Sequence, residues 1–323
     1  MLDLALYDRI HLHSRPWSQR GLAETFLRTD YRKLDLVVEG WDRLPKTPVI
    51  LALNHTDDFS YWPFQYAMHR RFARYTSCWV KGKNFEGAGM SFFMRVMNNI
   101  PLASRGYLLT RDFLTTVGRH PSEVEYRLLR DALNAGTSVD GEQLPRELLE
   151  RPRLILGRPF DPAHENYIDA MESLFNQMMA RFVDLNRHAL DIGLDVLVYP
   201  QGSRSIRLSR GHGGIGQVAL HLGATIVPVG CSGGDIAYPT RSPLCQPARI
   251  VYRIGDPILP AELDPGRPSE PDQPFTRAAD AHAEAFQAVA DLVMQRIDGL
   301  VDERYRFGDD HGTDGVTGTA RFV

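Results

Sequence analysis

Six short apolar runs punctuate this chain, at 34–40, 48–53, 76–80, 195–199, 225–229 and 249–254. Each is the length of a strand, and several stop abruptly in polar residues. Leu34-Asp35-Leu36-Val37-Val38-Glu39 ends at Gly40, and Pro48-Val49-Ile50-Leu51-Ala52-Leu53 runs straight into Asn54 and His55. Between the runs the apolar period lengthens to that of a helix. Helices are expected over 59–74, with Asp57 or Asp58 as cap and Pro63 tolerated in the first turn, and over 90–97, where the segment is apolar enough to be buried. Further helices are expected over 111–118, 122–133, 165–190, 214–222 and 278–300. The 165–190 helix carries Ile168, Met171, Leu174, Phe175, Met178 and Phe182 on one stripe, and Gly223 closes the 214–222 helix. Residues 139–162, rich in Pro, Arg and Glu, read as loop.

This alternation of strand and helix predicts an α/β fold with a mixed, largely parallel sheet flanked by helices. The expected organisation is an N-terminal helical segment (1–33), an α/β domain (34–260) with a helical insertion at 107–190, a C-terminal helix within 261–307, and a mobile tail at 308–323. Leu22, Phe26 and Leu27 share a face in the first segment.

Composition narrows the function classes. The chain has 323 residues and a net charge of -3, which argues against general nucleic-acid binding. Its three cysteines are far apart and odd in number, so they read as free thiols in a reducing compartment. No apolar stretch reaches the ~18 residues of a membrane span, and the acids and Arg9 among the first leucines do not fit a secretory signal. A cytoplasmic protein, soluble or peripheral to the inner face of the membrane, is expected.

Chemistry concentrates at two strand ends. Asn54-His55-Thr56-Asp57-Asp58 offers an imidazole, the side chain suited to proton transfer near neutral pH, followed by carboxylates that can hold its tautomer. The same string also reads as a plain helix start. Tyr199-Pro200-Gln201-Gly202-Ser203-Arg204-Ser205 sets a guanidinium on a glycine turn, an arrangement that suits phosphate or a solvated basic turn. Arg207, Arg210 and the glycines at 211, 213, 214 and 216 follow, where backbone N–H groups can add anion affinity. Between residues 61 and 111 stand eight Lys or Arg against one acid, Glu86; among them Lys81, Lys83 and Arg105 lie nearest apolar strand ends. No Gly-x-Ser-x-Gly occurs, and the histidines show no metal-site spacing with acidic support.

Four blocks taken together resemble the glycerolipid acyltransferase family that includes the lysophosphatidic acid acyltransferases. Asn54 to Ser60 resembles its His-x4-Asp motif; Ile100-Pro101-Leu102-Ala103-Ser104-Arg105 resembles its second block; Tyr199 to Ser205 resembles Phe-Pro-Glu-Gly-Thr-Arg-Ser; Ile226-Val227-Pro228-Val229 resembles its fourth. The resemblance covers roughly residues 34–258. It implies an O-acyltransferase of phospholipid biosynthesis in which His55 is the general base, oriented by Asp58 or Asp57. Lys81, Arg105, Gln201, Gly202, Ser203 and Arg204 would bind the acceptor phosphate. The acyl thioester is acyl-CoA or acyl carrier protein, the acceptor a lysophospholipid such as 1-acylglycerol-3-phosphate or another anion, and the membrane surface a partner; no cofactor or metal is implied. Three departures stand out, one of them the interval of about 95 residues between Arg105 and Pro200, long for the family. The family aspartate falls on Ser60, and the family glutamate is Gln201. They leave open an inactive lipid-binding or scaffold protein, or an acyltransferase with a different acceptor.

Overall fold

The computed structural model describes residues 1–139, 141–263 and 273–308; the expected mobile tail, beyond Gly308, lies outside the described residues. Among the described residues nine strands form: β1 (Leu34–Glu39), β2 (Ile50–Leu53), β3 (Thr76–Lys81), β4 (Asn99–Leu102), β5 (Arg153–Ile155), β6 (Arg158–Phe160), β7 (Asp195–Val198), β8 (Ile226–Ser232) and β9 (Ala248–Ile254). Seven of them make one sheet in the order β1-β9-β8-β2-β7-β3-β4, and β5 and β6 pair separately as a hairpin. From β8 through β2, β7, β3 and β4 every neighbouring pair is parallel. β9 runs antiparallel to β8, and β1 runs parallel to β9. The protein is therefore α/β with a mixed, largely parallel sheet, as its hydrophobic rhythm predicts.

The central strands are apolar at consecutive positions because both faces of the sheet are covered. Ile50 and Ala52 of β2, with Val196 and Val198 of β7, face one hydrophobic layer. Leu51, Leu53 and Leu197 face the other. The first layer is built by the helices Arg105–Val117, Glu123–Ala135, Tyr167–Asp191, Gly214–Leu222 and Ala283–Asp298. All six residues of the predicted stripe on Tyr167–Asp191 are buried in it. The second layer is built by Tyr61–Phe72, through Phe64 and Met68, and by Leu27 and Tyr31 of the N-terminal segment.

Two expectations need correction, and one strand went unread. The segment 139–162 is not all loop: it holds the short helix Arg146–Glu150 and the β5–β6 hairpin. β4 was hidden by Pro101, which a strand tolerates here because β4 lies at the sheet edge. The helix Ala88–Val96 forms where expected but is not buried: Met90 and Phe92 are 51% and 56% exposed.

At the sheet's N-terminal edge an ion pair pins β7. Asp195 accepts Arg74 Nε at 2.8 Å, a second guanidinium contact from Nη2, and the Val49 N–H at 3.0 Å. The same guanidinium donates to the Pro45 and Thr47 carbonyls. Arg74, one of the eight basic residues between 61 and 111, is thus structural.

Candidate active site

Parallel strands finish at a common edge, and an open α/β sheet places its chemistry there. At this edge β2 leads to His55, β7 leads to Tyr199–Ser205, β3 ends in Lys81 and β4 leads to Arg105. Since β7 lies between β2 and β3, the imidazole, the Arg204 turn and Lys81 follow from three adjacent strands.

Backbone and side-chain hydrogen bonds fix the two motifs to each other. Asn54 exchanges two bonds with the backbone of Cys231, Nδ2 to O at 2.9 Å and N to Oδ1 at 2.7 Å, which holds the exit of β2 against β8. The His55 N–H donates to Gln201 Oε1 at 3.1 Å, and the Ser205 N–H donates to the His55 carbonyl at 2.9 Å. Gln201 is buried and its amide nitrogen reaches Ser209 Oγ at 3.3 Å. Its role here is that of a clamp between the motifs, which an amide fills because it both accepts and donates. Gly202 turns with φ +65°, and a Cβ there would lie 2.9 Å from His212 Cδ2.

The His55 ring stacks on Tyr199, centroids 4.0 Å apart and planes 15° from parallel, and Tyr61 meets Tyr199 edge-on. His55 Nδ1 is buried and makes no hydrogen bond. Burial, then the charges of Lys81 and Arg204, push the imidazole down to about 3, while the backbone of Asp57 pulls weakly the other way. The ring is neutral at physiological pH.

The two candidate acids behave differently. Asp57 is buried, and its Oδ1 accepts the N–H groups of Phe59 and Ser60 at 2.7 and 2.6 Å, just ahead of the helix Tyr61–Phe72. Its Oδ2 takes the Thr56 hydroxyl at 2.9 Å and packs on Gly234, where a Cβ would stand 2.5 Å away. Asp58 is half-buried and its Oδ2 accepts Arg204 Nη1 at 2.7 Å. Neither carboxylate bonds to His55 Nδ1. Ser60, at the position of the family aspartate, lends its carbonyl to the Tyr252 hydroxyl.

The other predicted binding residues divide. Gly202 and Ser203 lie in the Arg204 turn, and Lys81 acts on His55 through its charge. Arg105 turns towards the helix Tyr167–Asp191: Nη2 donates to Glu172 Oε1 at 3.5 Å and the guanidinium lies 4.6 Å over Phe175. The glycine run after Arg210 has a packing reason. Gly211, Gly213 and Gly216 let the chain close on the helix Ala283–Asp298, and a Cβ on Gly216 would stand 2.5 Å from the Phe286 carbonyl. Arg210 pairs with Asp291 of that helix at 3.0 Å. Sequence reasoning named Tyr199 only as part of a motif; its place as the stacking floor of His55 has no local signal. Gly234 had one, the Gly233-Gly234 pair directly after an apolar run.

No protein-family model matches this chain, and no curated protein matches it. Among solved structures it is similar to the 1-acyl-sn-glycerophosphate (LPA) acyltransferase PlsC from Thermotoga maritima, at a TM-score of 0.42 and 14% identity over 90% of this chain and 86% of that one. At that distance the likeness carries no argument, and the reading of the site rests on its own residues. No helix among the described residues is long and apolar enough to cross a membrane.

Proposed function

We propose that this chain is an acyltransferase that moves a fatty acyl group from a thioester to a hydroxyl of a lysophospholipid. The observation that carries the reading is a neutral imidazole at a parallel-strand edge, stacked on Tyr199 and flanked by Arg204 and Lys81. With Nδ1 buried, Nε2 is the nitrogen left to meet a substrate. It takes the proton of the acceptor hydroxyl as the oxygen attacks the thioester carbon. The tetrahedral intermediate collapses, the C–S bond breaks, and the imidazolium returns its proton to the leaving thiolate. Arg204, on the Gly202 turn, and Lys81 hold the acceptor phosphate, Arg204 through its fork. The thioester is acyl-CoA or acyl carrier protein.

A lipid acceptor calls for contact with the bilayer. Trp17 is 73% exposed, and its helix Trp17–Leu22 is tied to the end of Ala88–Val96 by Gln19, which donates to the Met97 carbonyl at 2.9 Å. Trp17, Met90 and Phe92 form the apolar side chains proposed to seat in the interface. Replacing Trp17 and Phe92 by Ala lowers binding to phosphatidylglycerol vesicles about tenfold; undiminished flotation removes this seating.

The decisive experiment follows thiol release from acyl-CoA, and separately from acylated carrier protein, with lysophosphatidic acid as acceptor. Acceptor-dependent release that falls about 10²–10⁴-fold in His55→Ala is expected. Silence with both donors overturns the enzyme reading and favours a lipid-binding protein. One observation supports that second reading: neither carboxylate of the motif bonds to the imidazole.

A further inference from the structure

The His55 ring presents an unresolved requirement. A base that works through Nε2 carries its proton on Nδ1, and Nδ1 is buried without a hydrogen-bond partner. A buried N–H left unpaired is costly, so an acceptor is needed when the site works. Asp57 cannot supply it. Its two oxygens hold three donors at the start of a helix, and its packing on Gly234 leaves no room to rotate.

Asp58 has that freedom. It follows His55 by three residues in the same turn, it is half-buried, and it bonds to Arg204, the group best placed to receive an anion. Arg204 in turn precedes Ser205, whose N–H is bonded to the His55 carbonyl, so guanidinium, carboxylate and imidazole are neighbours. A phosphate monoester, with more charge than a carboxylate and a matching fork geometry, competes directly for Arg204.

We propose that Asp58 is a positioning residue that changes partners: an acceptor phosphate on Arg204 displaces the Asp58 carboxylate, which then accepts the Nδ1–H of His55. Binding of the acceptor thereby completes the base. Electrostatics point the same way. The groups acting on the ring are Lys81, Arg204, the backbone of Asp57 and the stacked Tyr199, and in the unliganded chain burial first, then the two cations, push the imidazole down to about 3, too weak a base for efficient proton transfer near pH 7. Phosphate on Arg204 cancels a positive charge, and the arriving carboxylate adds a negative one.

The inference rests on the proposed acceptor site, and its test does not depend on acyl transfer. The full chain, labelled with nitrogen-15 in its histidines, is titrated with pH in the absence and presence of saturating sn-glycerol 3-phosphate. In the wild type the His55 transition rises by about one pH unit or more on binding. In Asp58→Asn the probe binds about two- to fivefold more tightly, because the competing carboxylate is gone, while the rise shrinks to less than half. Asp58→Glu restores most of the rise. A residue that merely braced the turn would weaken binding and leave the rise in place, so tighter binding with a lost shift is the signature. An undiminished rise in Asp58→Asn, or weaker binding, overturns the exchange while leaving the acceptor site intact. Absence of binding to the wild type removes both. Unchanged melting of the two variants shows that the comparison is made on folded protein.

Discussion

Two aspartate–arginine pairs sit at opposite edges of the same sheet, and they teach how to tell a brace from a working part. At the N-terminal edge, Asp195 is fully buried and Arg74 is 15% exposed, and nearly every donor of the guanidinium is occupied by carboxylate or backbone. At the C-terminal edge, Asp58 and Arg204 are 35% and 38% exposed and share a bond through one nitrogen and one oxygen. The chemistry is the same and the saturation is not. A pair whose partners are all supplied by the fold has nothing left for a ligand. A pair that water can reach exchanges partners at little cost, since an exposed ion pair is worth ~0–1 kcal/mol.

The largest effect that can break this contrast is on stability. Arg74→Met leaves the Asp195 carboxylate buried and uncompensated, and chemical denaturation will show a loss of about 3–5 kcal/mol. An effect under 1 kcal/mol there would erase the distinction between the two pairs. At the other edge Arg204→Met changes stability by no more than about 1 kcal/mol, and instead raises the acceptor KM roughly tenfold or more. A large stability loss with an unchanged KM would make Arg204 a second brace.

The smallest effect is in acid. His55 titrates at about 3 in the folded chain and near 6.5 when unfolded, so below 6.5 the unfolded chain binds more protons. The imidazole's contribution is complete above pH 6.5 and is lost as pH falls towards 3. His55→Gln removes that linkage, and its stability should decline between pH 7 and about pH 5.5 by about 1 kcal/mol less than the wild type's. Parallel declines would show that the ring is solvated rather than held down by burial and cations.

Much of this arrangement was legible in the chain, because apolar runs that stop in polar chemistry mark strand ends. The termini of β2 and β7, with His55 and Arg204, were readable for that reason. What escaped reading depended on contacts distant in sequence. Arg105 was readable as a cation at a strand end, but not its turn towards Glu172 and Phe175, on a helix formed much later in the chain. The glycines at 211, 213 and 216 suggested an anion cradle, whereas the approach of Phe286 and Met294 explains them. Asp57 and Asp58 are chemically identical neighbours. Only the direction of the turn decides which one caps and which one faces Arg204, and composition carries no information about that. β4 and the β5–β6 hairpin escaped because three or four residues, with a proline, are too few for a period to show.

The place of β7 has a consequence for how the molecule comes into being. β2 and β3 are successive along the chain, yet the finished sheet inserts β7 between them. On a ribosome, both flanking strands and the imidazole emerge more than a hundred residues before the strand that separates them. Until then β2 lacks both of its native neighbours, β7 and β8, and a direct β2–β3 pairing is the obvious error for a growing chain. The clamp of Gln201 and Ser205 on His55 therefore closes late, after the sheet has sorted its order, so a nascent chain cut short of that point holds the histidine without the chemistry around it.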